Sequence, residues 1–194
     1  MTRDEAIETL AKHALATMSP EERKVWLEEL WSIDEEDSEW YALPKTIRMD
    51  ISNSEEPVNY MESRYNPFIL TAVRDSFFGL RNEYLKARLE QIGISVNVVG
   101  HVEMLERCPC CGYRTLNERG QYFICPVCFW EDTGSDDIDQ YSGPNHMTLR
   151  EGRENFQKIG ACDEAMLEHV VQNGKDLYIY DDTLKTSRIS ENDK

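Results

Sequence analysis

The sequence predicts an α+β protein: about a hundred mostly helical residues, then a turn-rich part built from short hairpins and followed by a helix. Three observations predict it. Apolar residues recur at helical spacing behind clear start signals as far as Gly93, and alternating β-branched or aromatic runs begin only at Ile94. All six cysteines lie in the second half, five of them between Cys108 and Cys128. The expected division is therefore residues 1–100 as a helical domain ending in a short strand, 101–180 as a cysteine-rich domain, and 181–194 as a polar tail that frays.

Thr2 and Glu5 are spaced as a capping box ahead of Ala6, Ile7, Leu10, Ala11 and Leu15, an apolar stripe of helical period. Ser19, Pro20 and Glu22 open a second helix. Serine caps, proline suits the first helical position, and the glutamate answers the cap. That helix carries Val25, Trp26, Leu27, Leu30 and Trp31. The acids Asp34, Glu35, Glu36, Asp37 and Glu39 then break the pattern before Trp40, Tyr41 and Leu43. Ile47, Met49 and Ile51 lie in a short element of ambiguous type, and 52–57 reads as a loop.

Asn66 and Pro67 start another helix, with Phe68, Ile69, Ala72, Val73, Phe77 and Phe78 as its buried face. Gly79 separates it from a helix over 82–91, with Leu85 and Leu89 inward and Gly93 as the stop. The alternation Ile94-Ser95-Val96-Asn97-Val98-Val99 reads as a strand. Residues 113–116 and 122–124 are expected to pair as a hairpin across 117–120. Thr148 with Glu151 caps a helix reaching about Ile159, 163–171 looks helical, and 177–180 reads as a strand.

Charge and hydropathy narrow the function. The 194 residues hold 37 acids against 21 Lys and Arg, a formal net charge of −16. Such a surface repels nucleic-acid backbones and anionic lipid, so a cationic protein is the favoured partner. No run approaches the roughly 18–20 apolar residues of a membrane span. The opening MTRDEAIETL carries acids where a secretory signal has its apolar core, so a cytoplasmic location is expected.

Cys108-Pro109-Cys110-Cys111-Gly112 is followed by Cys125-Pro126-Val127-Cys128. Two C-x-x-C units, Cys108/Cys111 and Cys125/Cys128, read as a four-thiolate zinc site of zinc-ribbon type. Each turn aims two thiolates at one ion, and Gly112 lets the chain reverse behind it. Disulfides would need an oxidising compartment, and a redox C-x-x-C wants a βαβ setting that is not evident here. Cys110 is surplus, either an alternative ligand or a free thiol; Cys162 is a buried cysteine or a metal ligand. Four thiolates close the shell, leaving His101 and His146 outside it and no position for an activated water, so the Zn2+ is structural.

Residues 108–162, with CPCCGY, CPVCFWED, PNHMTLREGRENF and GAC, resemble the bacterial cysteine-rich CPCC domain family. Several such proteins resemble immunity proteins of polymorphic toxin systems. The resemblance thus implies a protein that binds and neutralises a cognate toxin domain, and the charge of this chain suits a basic nuclease. Acids would steer the encounter and aromatics would anchor it. Asp34, Glu35, Glu36, Asp37 and Glu39 with Trp40 and Tyr41 form one candidate contact patch. Trp130, Asp132, Asp136, Asp137 and Asp139, with Tyr141, form another. The alternative is a zinc-ribbon module of nucleic-acid metabolism or transcription, for which Arg107, Arg114, Arg119, Arg150, Arg153 and Lys158 are the available bases. They are interleaved with acids, without a basic face. No nucleotide loop, nucleophile–histidine pattern or open metal site is present, and the four histidines are dispersed, so no enzymatic activity is expected.

Overall fold

The computed structural model describes residues 1–182, apart from the side chains of Ser38 and Glu39. The chain is α+β and divides into two compact units, Met1–Phe78 and Gly79–Lys194. Residues 79–100 thus go with the cysteine-rich part.

The first unit is helical: α1 (Arg3–Thr17), α2 (Pro20–Trp31), α3 (Lys45–Asn53) and α4 (Asn66–Asp75). Both expected capping boxes form. Thr2 and Ser19 accept from the backbones of Glu5 and Glu22, whose carboxylates reach back to the cap N–H groups. The ambiguous segment over 47–51 is α3, with Ile47 buried. Asn66 is the first residue of α4 rather than its cap, because a 3₁₀ turn (Ser63–Tyr65) leads straight into it. α4 packs against α1 and α2, burying Ile69 and Val73 beside Ala6, Ile7, Leu10, Leu27 and Leu30.

Val25 and Phe78 are among the apolar residues that lie outside this core. Val25 is exposed, whereas Arg23 is buried, its guanidinium donating to the carbonyls of Tyr60 (2.8 Å) and Glu62 (3.3 Å). A buried cation is tolerable when it satisfies carbonyls that the loop cannot satisfy itself. Phe78 is half exposed because α4 ends at Asp75, and beyond the helix only Phe77 of the two adjacent rings turns inward.

The second unit contains α5 (Asn82–Gln91), which buries Leu85 and Leu89, then two small antiparallel sheets and two further helices. β1 (Glu106–Arg107) pairs with β2 (Arg114–Leu116), and β3 (Tyr141–Ser142) with β4 (Met147–Thr148). α6 (Leu149–Ile159) follows from its Thr148–Glu151 capping box, as expected, and α7 (Gly174–Leu177) is a single turn. Gly79 has φ +72°, and a Cβ there would run into the Leu105 side chain, so a larger residue would strain the backbone and force Leu105 to shift.

Five expectations change. Residues 94–98 alternate half-buried and exposed, as an extended chain should, yet form no strand; of the expected 94–99 run, Val99 takes part in an isolated bridge. The segments 113–116 and 122–124 do not pair with each other; each belongs to a separate hairpin around its own cysteine pair. The 163–171 segment holds only a 3₁₀ turn at Glu164–Met166, capped by Asp163. The strand expected at 177–180 is reduced to one bridge, Tyr113 to Tyr180, flanked by Arg114 N–H donating to Ile179 O. Asp181, expected to fray, instead accepts from Arg114 at 2.6 Å and donates its N–H to Gly112 O. Residues 183–194 of the expected tail lie outside the described residues.

Candidate metal centre

The two cysteine pairs are built on one backbone plan. In the first, Cys108 N–H donates to Tyr113 O (2.9 Å) and Gly112 N–H to Cys108 O (3.1 Å). In the second, Cys125 N–H donates to Trp130 O (2.9 Å) and Phe129 N–H to Cys125 O (2.7 Å). Both turns need a left-handed residue just after the second cysteine, Gly112 at φ +83° and Phe129 at φ +65°. Glycine adopts this freely; phenylalanine does so at a cost of about 1 kcal/mol. Its ring is placed beside His169, with centroids 5.2 Å apart.

This plan turns all four side chains to one point. Cys108 Sγ lies 3.7 Å from Cys128 Sγ, Cys111 Sγ lies 3.6 Å from Cys125 Sγ, and all four sulfurs are within 4.8 Å of one another. A tetrahedral ion with metal–sulfur bonds of about 2.3 Å sets its sulfurs about 3.8 Å apart, so the spacing fits. A disulfide needs about 2.05 Å, and all six cysteines are free thiols. The set can therefore bind one metal ion. Burial pushes the Cys108, Cys111 and Cys128 thiols above their ordinary range. Burial opposes ionisation of Cys125 as well, but hydrogen bonds converging from the other three thiols and from Thr115 outweigh it and pull this thiol well down.

The surroundings brace both turns. α6 lies over the first, with Arg153 Nε donating to Pro109 O at 3.0 Å. The second receives Cys162 N–H on Cys128 O (2.7 Å) and Val171 N–H on Pro126 O (2.8 Å). Asn155 holds Cys162 O, and Asn145 makes paired bonds with the Glu131 backbone. Gly152 sits against the Trp130 ring, where a Cβ would approach to 2.7 Å. These contacts account physically for Asn145, Gly152, Arg153 and Asn155 within PNHMTLREGRENF.

Cys110 and Cys162 are buried in the same core but outside the four-sulfur group. Burial first, and the nearby Cys110 second, push the Cys162 thiol up to about 12, so it is a neutral packing group. His101 and His146 are exposed and do not join the cluster. Thr115 was not anticipated; its hydroxyl donates to Cys125 Sγ at 3.1 Å, and only the folded β2 brings it there.

The candidate contact patches need correction. Trp130 is buried, packed over the core rather than offered to a partner. Asp132 is wholly buried, where one oxygen accepts from Arg119 Nε (3.0 Å) and Gly120 N–H (2.7 Å). Trp40 is buried as well, because aromatic area in a short helical turn is worth more in the core. Asp136 pairs with Arg119 and Arg107, and Asp139 makes a two-point bridge to Arg150. Asp137 and Tyr141 are exposed. In the other patch, Asp34, Glu35, Glu36 and Asp37 are exposed, with Asp34 and Asp37 accepting local backbone N–H bonds. Tyr41 stays largely exposed, and the Glu39 side chain lies outside the described residues.

The bases considered for phosphate binding are also engaged. Arg114 holds Asp181 and Leu105 O, Lys158 pairs with Glu154, and Arg107, Arg119, Arg150 and Arg153 have the partners above. Among the described residues no helix is long and apolar enough to cross a membrane. No curated protein and no solved structure matches the chain. A family model described as Cysteine-rich CPCC does match, over residues 106–176, the stretch that begins with β1 and ends in α7; this chain therefore carries a cysteine-rich CPCC domain.

Proposed function

We propose that the four cysteines hold a structural zinc ion and that the chain is a binding protein of the cytoplasm, not an enzyme. Its partner is a cationic protein. The closed all-thiolate donor set carries this reading, since four buried sulfurs leave no coordination position for substrate or water. Zinc suits four soft ligands at this spacing and adds on the order of 10 kcal/mol to folding. The metal thereby fixes a surface rather than performing a reaction.

The net charge of −16 supports a basic partner, and long-range attraction speeds such encounters above the roughly 10⁵–10⁶ M⁻¹s⁻¹ of neutral docking. We propose as that partner a cognate bacterial toxin domain, with a nuclease as the type whose basic groove suits the acidic surface best. The engaged arginines disfavour the alternative of a nucleic-acid module.

Two measurements test this. Metal analysis of reduced protein should find one zinc per chain, retained in Cys110→Ser and lost in Cys125→Ser and Cys128→Ser. Full stability under chelation would refute the structural role. Titration against cationic toxin domains, sought first among the neighbouring genes, should give a salt-sensitive complex that abolishes the toxin's activity; absence of binding to any of them at low salt would refute the partner.

A further inference from the structure

The hairpin around the second cysteine pair carries an exposed apolar strip that neither the metal nor the core uses. Tyr122, Phe123 and Ile124 are consecutive, and 61%, 40% and 47% of their surfaces face solvent. They do not lie on a loose loop. Ile124 bridges to Glu131, Tyr122 N–H donates to Asp132 O and Asp132 N–H to Phe123 O, and Cys125 follows at once as a member of the metal-binding set. Tyr122 takes up a left-handed φ of +61°, so two residues of this strand oppose Asp132, as in a bulge. Three adjacent large apolar side chains, held on a rigid hairpin and turned to water, are costly unless something covers them.

Charge identifies what covers them. From Glu118 to Asp139 there are six carboxylates (Glu118, Glu131, Asp132, Asp136, Asp137, Asp139) and one base, Arg119, itself held by Asp132 and Asp136. Arg107 and Arg150 reach in to pair with Asp136 and Asp139, and Asp132 is wholly buried, so Glu118, Glu131 and Asp137 are the carboxylates left to meet a partner. Glu131, directly across from Ile124, makes no ion pair with a described residue. With a dication bound, the four thiolates would add about two further negative charges to the same hairpin. A second copy of this chain would bring the same negative field and be repelled.

We infer that the Tyr122-Phe123-Ile124 strip is the anchor by which this chain grips its partner, a basic protein segment whose apolar residues cover the strip while its Lys and Arg meet the surrounding carboxylates. This rests on the protein-binding reading above and moves the contact from the acidic runs to an aromatic anchor rimmed by acids. Tyrosine and aromatic anchors inside a charged rim are the usual source of interface affinity.

The test uses the zinc-loaded full chain, immobilised and presented with a random linear peptide library displayed on phage. Enriched sequences should combine Lys or Arg with aromatic or aliphatic residues. Synthetic copies should lose at least tenfold in affinity for the variant Tyr122→Asn/Phe123→Ser/Ile124→Thr, and for Phe123→Ser alone, with zinc content and far-ultraviolet circular dichroism unchanged. Basic peptides that bind the triple variant as well as the wild type would overturn the strip as anchor and leave the binding reading standing. Enrichment of neutral or acidic peptides, or of none, would overturn both. A dimer of the free chain at micromolar concentration that the triple variant loses would make a second copy the occupant and overturn the inference.

Discussion

Replacing Gly152 by alanine sets two effects against each other within one residue of α6. Helix propensity favours alanine over glycine by about 1 kcal/mol, so a helix considered alone is stabilised. In the folded unit, however, the added Cβ would lie 2.7 Å from Trp130 Cζ3 and 3.0 Å from Cε3. Carbon atoms in contact rest at about 3.5–4.0 Å, so the ring or the helix must retreat by about 1 Å. Neither is free to do so. Trp130 is buried and its carbonyl accepts from Cys125 N–H, while α6 is tied to the first cysteine turn through Arg153 and Pro109. Overpacking of this kind costs about 1–3 kcal/mol, and the pinned ring puts it near the upper end. The expected net loss is about 2 kcal/mol, a fall in Tm of roughly 4–8 °C for a chain of this size. Urea unfolding of the metal-loaded protein, followed by tryptophan fluorescence, measures it. Gly143→Ala serves as the comparison, since a Cβ there meets nothing within 4 Å. A Gly152→Ala protein as stable as the wild type, or more stable, would refute the proposed close packing of α6 on Trp130.

Thr115→Val removes the hydroxyl that donates to Cys125 Sγ. It should weaken metal affinity about tenfold, with Thr115→Ser restoring it, as read by competition with a chromophoric chelator. Asp132→Asn leaves the Arg119 guanidinium without its buried counter-charge; discounted for the partial exposure of Arg119, the loss should be about 2–3 kcal/mol in urea unfolding. Equal stability would place little weight on that clamp. Glu151 has its carboxyl lowered by the Thr148 N–H and then by the Thr148 hydroxyl. Its folded value lies below its unfolded one, so its contribution is complete above the unfolded value near 4.5 and disappears as pH falls through the folded value. The advantage of the wild type over Glu151→Gln should therefore shrink as pH drops from about 5 to 3. A gap that stays constant would mean the carboxylate charge is irrelevant to the cap.

Much of the local structure was legible because it depends on neighbours in sequence. Thr2 with Glu5, Ser19 with Glu22 and Thr148 with Glu151 cap their helices through contacts three residues apart, and spacing alone reveals such contacts. The four cysteines were legible for the same reason, since each pair is one turn. Pairing of short strands was not legible. A two-residue strand has no register signal of its own, so 113–116 and 122–124 were expected to face each other, when each instead pairs across its own cysteine turn. The 94–98 alternation gave the correct exposure pattern but not a strand, because a ladder depends on segments from elsewhere in the chain.

Composition and short-range spacing were enough to determine an acidic, metal-competent α+β chain with defined helix starts and a set of four thiols. Which acids and aromatics face water was decided only by the tertiary structure. Asp132 and Trp130 read as surface residues in a charged run, yet both are buried, whereas Tyr122, Phe123 and Ile124 read as one arm of a hairpin, with nothing to mark them as exposed, and they face solvent. Whether a side chain is covered depends on what distant segments place over it, and in this domain α6 and the 162–171 segment cover one side of the cysteine turns and leave the strip bare.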